Sequence, residues 1–216
     1  METLEIGHST RPAAGRDRER ENAEDLAIFR EFLAGLILIN DENADRRAEG
    51  NHHAREAYTK IYLRYRERVY AYALRVLSNP EDAEDLFQEV FFRVYDRANS
   101  FAEERSLGGW IFTIAHNLCM NKIRDRKPQD TLEDARLFVE PAPDFGEDWQ
   151  ALIAHAMSLL PVEYREIIIL REYEGLSYTE ITDILHTSIP SVKSRLYRAK
   201  GRLRELLAPY YLPETR

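Results

Sequence analysis

The feature that most limits the fold is a run of apolar residues at helical spacing. Tyr58, Ile61, Tyr62, Tyr65, Val69, Tyr72 and Val76 recur every three or four positions, which places them on one side of a long helix starting near Ala54. No segment shows a convincing alternation of apolar and polar residues, as a half-buried strand would, so the chain reads as all-α. The run stops at "SNPED". There Asn79 can cap the next helix, Pro80 suits its first turn, and the acids favour its positive end. That second helix buries Ala83, Leu86, Phe87, Val90, Phe91 and Val94. After the loop "NSFAEERSLGG", a third starts near Trp110 and runs to about Arg126.

Residues 1–53 read as an extension, polar to about Asn22 and then carrying a short amphipathic helix with Leu26, Phe29, Leu33, Leu36 and Ile37. The polar stretch "NDENADRRAEGNHH" that follows reads as a loop. Residues 54–127 form a first helical domain. Residues 128–148, rich in proline and acids with little periodicity, read as a flexible acidic linker. A second helical domain spans 149–208, and 209–216 is a tail.

The single cysteine, Cys119, excludes an internal disulfide and suits a reducing compartment. The apolar run Phe32 to Ile39 is too short to span a bilayer, and mixed charges before it argue against a secretory signal. A cytoplasmic location is the expectation. No phosphate loop, nucleophile constellation or metal cluster stands out, so neither an enzyme nor a cofactor is expected.

Charge is distributed unevenly. The chain carries a formal net charge of -8, yet Lys193, Arg195, Arg198, Lys200, Arg202 and Arg204 crowd into residues 187–204 without one acid. The acidity belongs to residues 1–57 (-5) and 128–150 (-6), while 58–127 (+2) and 151–207 (+1) are slightly basic. An acidic total therefore leaves DNA binding open.

The basic stretch closes a helix-turn-helix pattern. Ser177 and Glu180 form a capping box, with Leu176 and Ile181 placed as a hydrophobic staple. Ile181, Ile184 and Leu185 face inward. After a break at "HTS", a second helix has Pro190 in its first turn and Val192, Leu196, Ala199 and Leu203 as its buried stripe. Its other side presents Ser191, Ser194, Arg195, Arg198 and Arg202, flanked by Lys193 and Tyr197. Such a helix suits a major groove, with early residues on base edges and later cations on phosphates.

Two further faces carry polar groups: Asp85, Gln88 and Glu89 on the second helix, and Thr113, His116, Asn117, Met120, Asn121 and Arg124 on the third. Asparagines cost helix propensity and their amides can read base edges, although a structural role for either is about as common. Together, "NPEDAEDLFQEVFFRVY", "SFAEERSLGGWIFTIAHNLCMNKIRDR" and "LPVEYREIIILREYEGLSYTEITDILHTSIPSVKSRLYRAKGRL" strongly resemble the extracytoplasmic-function group of bacterial sigma factors, over roughly residues 54 to 207.

That resemblance implies two domains, sigma regions 2 and 4, and a set of roles. Asp85, Gln88, Glu89 and Phe91 would grip the clamp of core RNA polymerase (its β′ subunit). The loop from Phe101 to Ser106, with Asn117, Asn121 and Arg124, would read the −10 element as opened single strand with a flipped base. Ser191, Lys193, Ser194, Arg195, Tyr197, Arg198 and Arg202 would read the −35 element as duplex. An anti-sigma partner is common in the group. The chain departs from the pattern at His186 and Pro190, where glycines are usual, and at Leu118, where a small polar residue is frequent. Two rival readings are a stand-alone helix-turn-helix regulator that needs no polymerase and a purely helical interaction protein that sequesters others.

Overall fold

The computed structural model describes residues 15–102, 105–125 and 148–211. These fold into eight α-helices with short connections: α1 Gly15–Leu38, α2 Ala44–Leu77, α3 Pro80–Asp96, α4 Leu107–Asp125, α5 Trp149–Ser158, α6 Val162–Ile168, α7 Tyr178–Leu185 and α8 Ile189–Tyr211. The linker, apart from Asp148 at its end, lies outside the described residues.

Helices α2, α3 and α4 form the expected first module. The aromatic stripe of α2 is inward, with Tyr65, Val69 and Tyr72 at most 1% exposed. Asn79 caps α3 by accepting from Asp82 N–H at 3.0 Å, and Pro80 occupies its first turn. Helix α4 starts at Leu107, three residues earlier than Trp110, because Ser106 Oγ accepts from Gly109 N–H and caps it.

The extension departs from its sequence reading. Residues 44–53 of the expected loop are the first turns of α2, capped by Asn43, whose side chain accepts from Asp45 and Arg46 N–H. The boundary drawn at 53/54 therefore falls inside a helix. Helix α1 runs 24 residues rather than a few turns, and it belongs to the first module. Phe29 and Phe32 are fully buried, whereas Ile37 of the expected apolar stripe is 70% exposed. Two glycines permit this close packing. A Cβ on Gly35 would lie 2.5 Å from the Ala54 backbone nitrogen, and one on Gly50 2.6 Å from Leu38 Cβ.

In the second module, Asp148 caps α5. The helix expected from Pro161 to Glu174 changes to a π-helical turn over Ile169–Tyr173, then ends at Gly175 with φ 65°. The helix-turn-helix is α7 and α8. Helix α8 continues through Pro209 to Tyr211, so the first residues of the expected tail are helical. Buried residues of both modules join in one continuous apolar cluster that includes Tyr72, Phe112, Ile167 and Leu170.

Candidate polymerase and DNA interfaces

On α8 the sequence reading of inward and outward faces agrees with the packing. Val192 and Ala199 are buried completely and Leu196 is 6% exposed. Lys193, Ser194, Tyr197, Arg198 and Arg202 are exposed, and Ser191 and Arg195 are half-buried at the rim. Tyr197 is 82% exposed. Two cations are partnered from nearby: Lys200 Nζ lies 2.7 Å from Glu172, and Arg202 Nη1 donates to Glu205 at 2.8 Å. Lys193 stands 5.5 Å over the Tyr178 ring, which orients its ammonium. The charge available to phosphates is thus densest around Lys193, Arg195 and Arg198.

The start of α7 is held by the Ser177–Glu180 capping box, with both reciprocal bonds present. His186 closes α7 in the left-handed region, φ 48° and ψ 50°, where a glycine would sit without strain. This is the physical content of the departure noted at that position.

On α3, Asp85 and Gln88 are exposed and Glu89 is half-buried. Both acids are partly neutralised within the module. Lys122 Nζ donates to Asp82 and Asp85 at 2.9 and 3.2 Å, and Arg93 Nε donates to Glu89 at 2.6 Å. Burial works against the Lys122 charge, but these carboxylates outweigh it and raise its pKa above the usual lysine range. Phe91 corrects the sequence reading. It is 4% exposed and packs edge-on against Tyr62 and Phe87, so its side chain cannot reach a partner. The aromatic on that face is Phe92, one helical repeat of seven after Asp85 and 66% exposed. The double "FF" was the signal, and helical phase alone could have chosen between its members.

On α4, Asn117, Asn121 and Arg124 are all exposed along one side, opposite buried Trp110, Ile111, Ile114 and Leu118. Phe101 is half-buried, stacked edge-to-face between Phe29 and Trp110 at 4.8 and 5.3 Å. The Ser106 hydroxyl donates to Glu180 of α7 at 2.5 Å. His116 likewise faces the second module, its Nδ1 2.7 Å from Glu166. Apart from inward-facing Phe91 and Ser106 at the module seam, the sequence-predicted residues fall on three surfaces, and Glu166 and Glu180 were not singled out as links between modules.

An exposed basic helix in a helix-turn-helix, joined to a helical module bearing a polar asparagine face, defines a two-module DNA-recognition protein. Family models for Sigma-70 region 2 and Sigma-70 region 4 match residues 61–129 and 150–203. The ECF RNA polymerase sigma factor SigW of Bacillus subtilis (strain 168) is 30% identical over 167 residues, covering 70% of this chain and 89% of that protein. SigM of the same organism, also an ECF RNA polymerase sigma factor, is 32% identical over 152 residues, covering 68% and 93%. Among solved structures, the sigma factor RpoE in its complex with the anti-sigma factor NepR from Bartonella quintana superposes with a TM-score of 0.58 at 29% identity, covering 71% of this chain and 98% of that one.

The chain belongs to the extracytoplasmic-function group of the sigma-70 family. It is an alternative sigma factor, a DNA-recognition subunit of RNA polymerase that directs transcription and performs no chemistry of its own.

Proposed function

We propose that the three surfaces divide the work of initiation. The α3 face, with Asp85, Gln88, Glu89 and Phe92, docks on the clamp of core RNA polymerase. The α4 side with Asn117, Asn121 and Arg124, together with the loop holding Phe101 and Ser106, reads the −10 element as single strand. Helix α8 reads the −35 duplex through Ser191, Lys193, Ser194, Arg195, Tyr197, Arg198 and Arg202. The observation that carries this reading is the exposure of Lys193, Ser194, Tyr197, Arg198 and Arg202 on α8, opposite buried Val192, Leu196 and Ala199. The cations explain affinity through phosphate contacts and counterion release, while serine hydroxyls and arginine forks supply discrimination.

A protein partner of the anti-sigma kind fits the same scheme. The similar RpoE chain from Bartonella quintana binds NepR, and the exposed Phe92 and Tyr95 offer apolar area such a partner would cover. No helix among the described residues is long and apolar enough to cross a membrane, and a cytoplasmic site of action follows from the role.

The test is co-purification with core polymerase followed by run-off transcription on genomic fragments. Glu89→Lys should weaken polymerase binding and leave the helical circular dichroism unchanged. Unaltered transcription from that variant would remove the α3 face from the scheme. Tight, specific binding of duplex promoter without polymerase would favour a stand-alone regulator instead.

A further inference from the structure

The way the two modules meet carries an inference about regulation. Glu180, the capping-box acid of α7, is a junction of three parts of the chain. Its Oε1 accepts from Ser106 Oγ of the −10 loop at 2.5 Å. Its Oε2 accepts from Arg18 Nη2 of α1 at 2.7 Å, and from Ser177 N–H and Oγ at 2.8 and 2.6 Å. Burial opposes its charge, but the bonds from Ser106 and Ser177 and the Arg18 charge outweigh it and hold the carboxyl below its ordinary range. The approach is close. A Cβ on Gly109, at the start of α4, would lie 2.9 Å from Ser106 Oγ and 3.6 Å from Glu180 Cγ.

Deeper in the same seam, Arg68 Nε of α2 donates to Glu174 at 2.9 Å, and Tyr72 and His116 both meet Glu166. Arg165 of α6 reaches the end of α2, donating to Val76 C=O at 3.1 Å and Ser78 Oγ at 2.6 Å.

This closed arrangement conflicts with reading two DNA elements at once. Elements centred near −35 and −10 are about 25 base pairs apart, or roughly 85 Å at ~3.4 Å per pair. Helices of 19 and 23 residues, the lengths of α4 and α8, extend only about 29 and 35 Å at ~1.5 Å per residue. Laid end to end they fall short of that span, and here the −10 loop touches α7 directly. The second module must swing away before both readers can seat.

We propose that α1 is a clasp: Arg18 and Ser106 grip Glu180, holding the helix-turn-helix shut against the −10 loop until polymerase or promoter releases it. The inference rests on the reader assignments proposed above. Helix α1 suits the task because Phe29 and Phe32 fix it within the first module, leaving its first turns to reach across. The joint itself is charged and only part-buried, with side chains of Arg18 and Glu180 22% and 17% exposed, so competing charges and salt can loosen it.

The experiment places nitroxide labels at Glu84→Cys on α3 and Glu163→Cys on α6, both exposed; buried Cys119 should not react. Wild-type clasp residues should give one narrow distance, Arg18→Lys should retain it, and Arg18→Glu should broaden it toward longer separations. Reconstituted with limiting sigma factor, Arg18→Glu should raise run-off transcription several-fold. Glu180→Gln, which keeps an oxygen for the cap, is the second variant should Arg18→Glu misfold, and it should open the pair partially. A broad distribution in the wild type overturns the clasp. So does an unchanged distance in both variants, or opening without gain in transcription. Absence of transcription from the wild type at any concentration would instead sink the sigma-factor roles, while the distances still decide whether the clasp exists.

Discussion

Two seams run through this molecule, and they are built differently. Where α1 meets α2, α3 and α4, the contact is aromatic and close. Phe29 and Phe32 are buried, Phe32 rings lie 5.4 and 5.5 Å from Tyr58 and Tyr95, and Gly35 and Gly50 let the backbones approach. Where the first module meets the second, much of the contact passes through paired polar groups: Glu180 with Arg18 and Ser106, Glu174 with Arg68, Glu166 with Tyr72 and His116. Apolar burial is non-directional and roughly proportional to the apolar area removed from water. Charged joints exchange readily with water or with another charged partner. The comparison teaches that the extension is part of the first module's core, whereas the second module shares the continuous apolar cluster and adds paired polar groups, among them the part-buried Arg18–Glu180 pair that another charge can replace.

The largest effect should come from the apolar seam. Phe32→Ala removes a ring with no exposed surface and should cost about 3–5 kcal/mol in urea unfolding. Arg18→Ala, at the polar seam, should change stability by under about 1 kcal/mol. Equal losses in the two variants would mean the seams do not differ as described.

Tyr72→Phe tests the most buried point of the polar seam. The Tyr72 hydroxyl donates to Glu166 Oε1, to which His116 also comes within 2.7 Å. Glu166 is 2% exposed, so losing one partner leaves its carboxylate short of a donor. The expected cost is about 1–3 kcal/mol, read from the same urea titration. A neutral outcome would indicate that water already reaches Glu166 through an open seam.

How much of this was legible beforehand follows from where the chemistry is local. The caps at Asn79 and Ser177, the inward stripe of α8 and its outward cations are written in spacings of three, four and seven residues, and all are present. Helix α1 was underestimated because its buried line passes through Asp25, which interrupts the apolar pattern. A carboxylate there is tolerated only because Tyr65 and Arg64, forty residues away, converge on it. The α2 start was hidden by a polar sequence whose helicity depends on Gly50 fitting against Leu38. Phe91 was misjudged because its motif names a position and burial decides a side. The module seam could not be read at all, since each of its pairs joins residues that only the fold brings together.

Asp25 itself gives a pH test. Burial raises its pKa, and the Tyr65 hydrogen bond and Arg64 charge do not fully offset that. Arg64 Nε lies 3.0 Å from Oδ1 as an ion pair, yet that oxygen has no aligned hydrogen bond. A carboxyl whose folded pKa lies above its unfolded value favours folding at pH below the unfolded value, about 4. That contribution is lost as pH rises through the folded value. Asp25→Asn should therefore remove a decline in stability that begins as pH rises above about 4. Relative to the variant, the wild type's urea midpoint should fall as pH rises above that value. Parallel curves would show Asp25 to be better solvated than its position in the apolar seam implies.

The smallest expected effect separates local strain from either seam. His186 holds φ 48° at the end of α7, and neither seam's polar pairs include it. A side chain in this region costs roughly 1–2 kcal/mol, while glycine adds about 0.5–1 kcal/mol of unfolded-state entropy. His186→Gly should thus stabilise the helix-turn-helix by about 0.5–1 kcal/mol, seen as a modest rise in Tm. The distance between nitroxides on α3 and α6 should stay as in the wild type. A longer distance would mean that the turn helps set the angle at which Glu180 meets Arg18 and Ser106, and the polar seam would then extend into the DNA-reading motif itself.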